Sequence, residues 1–328
     1  MTTPGHLTVM RSGALGDSVL TMPATTALRR EFGDLPIHLV FPRMMAGVAR
    51  SDSFTDAGGT SVASLFDPAA DVPPPTRATL AGSCFLLAYS SRGAELRKRL
   101  QQFVPGEVVV WDPRPPEGFS QHITRHLSQP LRELGMPVGE WVPCIALGLE
   151  QRMQLERDLG KDLTEMFGRP ESGPVVAIHP GSGGTHKCWP KRYFAELIKE
   201  LLLSGVRVVV LFGPVEAGTQ GDFGKPAFPG VYSIWPKTVA HLAAVLKRVD
   251  LFVGNDSGPG HVAAAVGTPT ISLFGPTNPD IWRPLGADAA VIASQDQGMA
   301  SIPVAVVVRT VLGKLEKMQC VAGSEGIG

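Results

Sequence analysis

Two stretches near opposite ends of the chain share one grammar: an apolar strand, a glycine-rich loop, then the start of a helix. The first is Met10-Arg11-Ser12-Gly13-Ala14-Leu15-Gly16-Asp17, entered from Leu7–Met10. The second is Val253-Gly254-Asn255-Asp256-Ser257-Gly258-Pro259-Gly260-His261, entered from Leu251. Recurrence of such a unit predicts two doubly wound, Rossmann-like α/β domains. In such sheets ligands bind outside the carboxyl ends of the strands, so the two loops are expected to face one cleft.

Periodicity along the chain supports the pairing. Leu7–Met10, a helix carrying Val19, Leu20, Ala24, Ala27, Leu28 and Phe32, and Ile37–Phe41 make a strand–helix–strand unit. Pro23 is expected to kink that helix or to lie in its first turn. Asp71-Val72-Pro73-Pro74-Pro75 reads as a stiff extended loop. Strands follow at Cys84–Tyr89 and Val108–Trp111, with a basic helix over Gly93–Phe103 between them. Residues 120–135 read as one helix ending at Gly135, and Glu150–Phe167 as another. Arg169–Pro174 has the composition of a linker, which divides the chain into an N-terminal domain, 1–168, and a C-terminal domain, 169–328. Beyond it, strands are expected at Val175–His179, Val206–Phe212, Leu251–Gly254 and Thr270–Phe274. Helices are expected at Tyr193–Ser204, Val239–Arg248 and Pro259–Val266. Val206–Phe212 is apolar throughout, as in a parallel sheet covered on both faces.

A chain of 328 residues is comfortable for two domains. Its 30 basic and 30 acidic residues balance, so no overall field draws in nucleic acid. Cys84, Cys144, Cys188 and Cys320 are scattered without ligand spacing. They read as free thiols in a reducing compartment rather than a disulfide framework or a zinc site. No secretion signal and no membrane span are expected.

Three constellations carry chemistry. Around Gly258, a proline at the first helical position is expected to leave the backbone N–H groups of Gly260, His261 and Val262 aimed outward, with the His261 side chain as a second donor. Read alone this is an ordinary helix cap, with Ser257 or Asp256 as N-cap; read with the repeat it is an anion site. His179–Pro190 is a glycine-rich loop ending in Lys187, Cys188, Trp189 and Pro190, and it lacks P-loop spacing. Lys187 suits a diphosphate, whereas most lysines face solvent; Trp189 reads as a packing anchor. Asp17 is either a helix cap or a general base. His122 and His126 stand one helical turn apart with no acidic third ligand, so they read as a solvated face rather than a metal site.

Taken together, Arg11–Pro23, His179-Pro180-Gly181 with Lys187–Pro190, and Asp250–Pro276 resemble glycosyltransferase family 9, the lipopolysaccharide heptosyltransferases, in order and spacing. The resemblance covers the first forty residues and 175–285, and fades between about 45 and 170. It implies the GT-B arrangement, with the acceptor on the N-terminal domain, the nucleotide-sugar donor on the C-terminal one, and a last helix that crosses back to the first domain. It implies Asp17 as general base, Lys187 on the donor phosphates, and Asp256, Ser257, Gly258 and His261 in the donor loop, with Ser182 and Gly260 contributing. The Gly181–His186 loop keeps no fixed family spelling, and Gly260 stands where a larger residue is common.

The implied activity is inverting transfer of a heptose-like sugar from a nucleotide diphosphate donor of the ADP-heptose type to a lipopolysaccharide-core or other glycan acceptor. No metal or cofactor is expected, because fixed donors meet the leaving-group charge and no D-x-D pair is present. The expected partners are the nucleotide sugar and a glycan or glycolipid acceptor, in the cytoplasm. Were the acceptor membrane-borne, Arg92, Arg97, Lys98 and Arg99 would meet anionic lipid at the cytoplasmic face of the inner membrane; otherwise they form a solvated helix face. Rival readings are a catalytically silent sugar-nucleotide binding protein and a nucleotide-sugar epimerase of the same fold. A nicotinamide enzyme is disfavoured, since G-x-G-x-x-G with its later acidic residue is missing.

Overall fold

The structure is a computed structural model that describes residues 5–48, 51–139, 142–148, 153, 157, 173–213 and 231–325. Compactness divides the chain into Met1–Ala146 and Leu147–Gly328. Apart from residues 153 and 157, the helix expected over Glu150–Phe167 lies outside the described residues, as does most of the expected linker. So does the stretch that would separate this division from one at 168/169.

Unit 1 is a five-stranded parallel sheet of β1 (His6–Arg11), β2 (Ile37–Phe41), β3 (Ser53–Asp56), β4 (Ser83–Tyr89) and β5 (Glu107–Trp111), in the order β3-β2-β1-β4-β5. The central β1 and β2 are buried almost throughout, as helices on both faces require. Its helices are α1 (Leu15–Phe32), α2 (Thr60–Ala63), α3 (Pro74–Ala81), α4 (Gly93–Leu100), α5 (Ile123–Leu127) and α6 (Gln129–Glu133). On one face Met10, Val40, Leu86 and Ala88 pack against Leu80 of α3 and against Leu96 and Leu100 of α4.

Several expectations need correction here. The triple proline is not an extended loop: Pro73 is the N-cap of α3, and Pro74 and Pro75 open it, where their missing N–H groups would have no helical partner anyway. The helix expected over 120–135 is two short ones, α5 and α6, meeting at Ser128 before Pro130; Gly135 (φ +79°) follows the second. Of the two placements open to Pro23, the first turn is the one not taken: it lies well inside α1, so the Val19 carbonyl loses its helical donor. α1 is buried on most of its circumference, and its buried hydroxyls turn back on their own helix. Thr21 Oγ1 donates to Asp17 O at 2.8 Å, and Thr25 Oγ1 to Met22 O at 2.8 Å.

Unit 2 is a six-stranded parallel sheet. Its strands are β6 (Val175–His179), β7 (Arg207–Leu211), β8 (Val231–Ile234), β9 (Leu251–Asn255), β10 (Thr270–Phe274) and β11 (Ala289–Ala293), in the order β11-β10-β9-β6-β7-β8. α7 (Lys191–Leu203), α8 (Val239–Leu246), α9 (Gly258–Ala265), α10 (Pro279–Trp282) and α11 (Val304–Glu325) cover it. On one face Val176, Ile178, Val208 and Val210 meet Phe194, Leu197 and Leu201 of α7. Val307, Val311 and Leu315 of α11 pack into the same core. Trp189 is fully buried, and its Nε1 donates to Ile302 O at 3.0 Å, so it is a packing anchor as expected. No described helix is long and apolar enough to cross a membrane.

A polar seam crosses the β1–β3 side of the unit 1 sheet. His38 hydrogen-bonds Ser53 Oγ at 2.7 Å through Nδ1 and Thr55 Oγ1 at 3.0 Å through Nε2, and its ring stands 5.8 Å from that of His6. Burial, reinforced by His6, pushes the His38 imidazole down to about 4 from its ordinary 6.5. Burial lowers His6 as well. A histidine whose folded pKa is depressed binds its proton more readily in the unfolded chain, so unfolding takes up protons between the two values. Its stabilising effect is complete above about 6.5 and is lost as pH falls toward about 4. Melts recorded across that window should show stability dropping on acidification. His38→Gln should flatten the drop, and an unchanged pH dependence in the variant would count against this assignment.

Candidate functional site

Both sheets reverse their strand order at one point, and both sequence motifs sit there. In unit 2, β7 and β8 lie on one side of β6, while β9, β10 and β11 lie on the other. The loops leaving β6 and β9 therefore diverge and leave room for a ligand at the carboxyl edge. These loops carry Ser182 and Lys187, and Asp256 to His261.

Two consecutive residues at the end of β9 stitch the loops together. Asn255 is fully buried and uses both ends of its amide. Its Oδ1 accepts from Trp189 N at 3.0 Å, and its Nδ2 donates to Pro180 O at 2.7 Å and Gly181 O at 3.3 Å. Asp256 is a hub. Its carboxylate Oδ2 accepts from Lys187 Nζ at 3.0 Å and from Thr277 Oγ1 at 2.7 Å, and its main-chain oxygen accepts from Ser182 Oγ at 2.7 Å. Loops after β6, β9 and β10 thus converge on one buried acid. Ser182 spends its hydroxyl proton on this scaffold. The Lys187 side chain is 29% exposed, so its ammonium is tethered yet open to an incoming anion.

The start of α9 differs from the expected one by a residue, with a physical consequence. Ser257 is the N-cap and Gly258 the first helical residue, so the N–H groups of His261 and Val262 belong to the helix ladder. Gly260 N donates to Ser257 O at 3.2 Å, and Pro259 has no N–H. The outward donors that the helix does not use are those of Ser257 and Gly258, at the positive end of the helix dipole. Ser257 does not cap the helix with its side chain; its hydroxyl lies 3.4 Å from His179 Nδ1. The ordinary cap is therefore not what this sequence builds. The imidazole of His261 is buried, with the residue 6% exposed.

Unit 1 repeats the logic with different chemistry. Arg11, Tyr89 and Trp111 end β1, β4 and β5 side by side in register. The guanidinium of Arg11 is buried, lies 5.9 Å above the Tyr89 ring, and pairs with Asp17 Oδ1 at 3.1 Å. Tyr89 donates its hydroxyl to Leu127 O, and burial pushes the phenol well above its usual range. Asp17 is not the N-cap residue but the third residue of α1, and its side chain does cap the helix start, Oδ2 accepting the Ala14 N–H at 3.1 Å. Gly13 (φ +125°) allows this, since a Cβ there would stand 2.8 Å from Asp17 Oδ2. With 35% of its side chain exposed, the carboxylate is fixed by two partners and still reachable.

The histidine pair is corrected. His126 is buried, its Nε2 is 2.8 Å from Asp112 O, and its ring packs on Trp111 and Phe119, so it does not belong to a solvated face. His122 caps α5 by accepting from Thr124 N. No group of metal-ligating side chains occurs among the described residues, and the four cysteines are free thiols. Sequence reading missed Asn255, Thr277, Arg11 and Tyr89 as structural partners. Their signal was position alone: Asn255, Arg11 and Tyr89 end strands beside a reversal point, and Thr277 follows β10, one strand away.

Two doubly wound units, each a parallel sheet with one reversal point, are the domain type of the GT-B fold class. Glycosyltransferase family 9 (heptosyltransferase) matches residues 113–303, and the chain belongs to that family. Lipopolysaccharide heptosyltransferase 3 of Escherichia coli K12 is 38% identical over 117 residues, 33% of each chain. The chain thus matches about a third of the length of that curated relative. A glycosyltransferase family 9 structure from Veillonella parvula DSM 2008 superposes with a TM-score of 0.78 at 20% identity, covering 97% of this chain and 99% of that one. The E. coli ADP-heptose lipopolysaccharide heptosyltransferase II gives 0.74 at 16% identity, covering 96% and 99%.

Two glycines on either side of the β9–α9 connection differ in how closely they are packed. A Cβ at Gly254 would stand 2.8 Å from Phe252 Cζ and 3.0 Å from the His179 main-chain oxygen, whereas at Gly260 its nearest contacts are at an ordinary 3.5 Å. Gly254→Ala should cost about 1–3 kcal/mol by overpacking. Gly260→Ala should be neutral or stabilising by up to ~1 kcal/mol, as for alanine replacing glycine in a helix. Chemical denaturation of the two variants checks the contrast, and equal losses would refute it.

Proposed function

We propose that the protein is an inverting glycosyltransferase that moves a heptose-like sugar from an ADP-heptose-type donor to a lipopolysaccharide-core or other glycan acceptor. The observation that carries this reading is the helix start of α9. Open N–H groups at Ser257 and Gly258 stand in a frame where Asp256 ties Lys187 and Ser182 to the same point. Membership of the family and the named activities of its relatives support the donor and the acceptor class.

In this reading the diphosphate lies against the N–H groups of Ser257 and Gly258, with Lys187 turned partly from Asp256 toward the phosphate oxygens. Negative charge that builds on the leaving diphosphate meets donors already oriented, so little reorganisation is needed as the bond breaks. Asp256 keeps Lys187 from drifting and does not itself face the reaction. On unit 1, Asp17 takes the proton from the attacking acceptor hydroxyl. Arg11 and the Ala14 N–H hold its carboxylate in one orientation, and the free lone pairs face outward. Attack by that hydroxyl opposite the departing diphosphate inverts the anomeric centre. No metal or other cofactor is invoked, since the fixed donors carry the charge.

The same reading has the chain working in the cytoplasm. Peripheral contact with the cytoplasmic face of the inner membrane would use the exposed basic surface of Arg92, Arg97 and Lys98 on and beside α4.

A well-placed general base is worth roughly 10²–10⁴ in rate. Asp17→Asn should therefore lower transfer by about that factor while ADP binds as before, measured by product formation and by calorimetry on the same preparation. Full activity in Asp17→Asn would remove the base assignment, whereas ADP binding with no transfer by either wild type or variant would favour a silent binding protein.

A further inference from the structure

The loop after β10 supplies a group that the donor reading leaves without a task. Thr277 lies between β10 and α10, and its Oγ1 donates to Asp256 Oδ2 at 2.7 Å. The Lys187 ammonium donates to that same oxygen at 3.0 Å. One oxygen of a carboxylate whose side chain is 9% exposed therefore carries two donors, one charged and one neutral. The hydroxyl is delivered from a turn fixed on both sides. Phe274 O, at the end of β10, accepts from Ser294 N at 2.8 Å, and a Cβ on Gly275 would stand 2.6 Å from Met299 Sδ, so the chain enters the turn closely packed. Where it leaves the turn, Asn278 caps α10 by accepting from Asp280 N at 2.9 Å.

The two donors differ in what they are free to do. Lys187 is a long, flexible cation, part of it open to solvent, and it has to serve the diphosphate as well as Asp256. Thr277 is short and fixed by its turn. A buried carboxylate stripped of its partners is strongly destabilising, so an acid held by Lys187 alone would compete with the phosphates for the ammonium. A hydroxyl donating to a carboxylate makes a short, strong bond, and this one stays in place when the ammonium turns outward. We infer that Thr277 is a positioning residue for donor binding: by holding Asp256 Oδ2 it releases the Lys187 ammonium to the donor diphosphate. The inference rests on the proposed donor site and adds to it the residue that sets how firmly the scaffold acid keeps the lysine. Because Thr277 acts through Asp256 and Lys187, its effect falls on the phosphates and not on the rest of the donor.

The test is calorimetry on the full chain with ADP and inorganic pyrophosphate as separate probes, with a thermal melt of each preparation. It compares the wild type with Thr277→Val, Thr277→Ala and Thr277→Ser, and Asp256→Asn with Asp256→Asn/Thr277→Val. A hydrogen bond to a charged group is worth roughly a 10- to 100-fold factor in an equilibrium. Thr277→Val keeps the shape and loses the hydroxyl, so it should weaken ADP and pyrophosphate by one common factor in that range. Thr277→Ala should do the same, and Thr277→Ser should bind both as the wild type does. Once Asp256→Asn has removed the charge that holds the lysine, adding Thr277→Val should change neither affinity. A loss that persists beside Asp256→Asn, or that Thr277→Ser fails to restore, would make Thr277 a packing residue of its turn and overturn the inference. If Thr277→Val binds both probes as the wild type does, the inference is likewise overturned, while the phosphate site stands. If the wild type binds neither ADP nor pyrophosphate, the donor site itself is refuted and the role of Thr277 with it.

Discussion

The buried carboxylate of Asp256 is the constraint on which the site of unit 2 depends. A buried acid needs partners, because an unpaired charge away from water is strongly destabilising. Here the partners come from two other loops: Lys187 after β6 and Thr277 after β10. Satisfying one side chain therefore fixes the relative positions of three connections that would otherwise be independent. Asn255 does the same work with a neutral amide, holding the backbone at Pro180 and Gly181 on one side and at Trp189 on the other. Trp189 is itself bolted to Ile302 just before α11. The open N–H groups of α9 thus stand on a frame that runs from the sheet edge into the core.

Unit 1 shows the same device with a different emphasis. Its carboxylate, Asp17, is only partly covered and is held by one cation and one backbone N–H instead of being enclosed. The difference in burial suits the two proposed tasks. A scaffold acid should be used up by its partners, whereas a base needs a lone pair that substrate can reach. Gly13 marks how tightly the loop closes on Asp17, since the space that a side chain would fill is taken by the carboxylate.

The architecture was legible because buried parallel strands announce themselves as apolar runs. β2, β6 and β10 fall at the residues expected, and β1, β4, β7 and β9 differ only at their ends. The strands β3, β8 and β11 were not read: Ser53–Asp56 and Val231–Ile234 mix polar and apolar residues without a clear period, and β11 is a short, half-buried, alanine-rich run. The prolines at 73–75 misled for a local reason, since the same residues that stiffen a loop also start a helix. In the candidate site, the motifs located the loops but not the direction of their hydrogen bonds. Ser182 turned inward to a carbonyl, the helix start moved to Gly258, and His126 went into an aromatic cluster. Those outcomes depend on which segments meet at the carboxyl ends of the strands, which only the assembled sheet decides. Arg11 lay within the quoted motif, yet its tie to Asp17 follows from a six-residue separation folded back across a glycine with positive φ.

The most direct measurement is a crystal structure of the full chain with ADP bound. The account predicts diphosphate oxygens within hydrogen-bond distance of the Ser257 and Gly258 N–H groups, with Lys187 Nζ alongside. A diphosphate seated away from the start of α9, with Lys187 still directed only at Asp256, would contradict it.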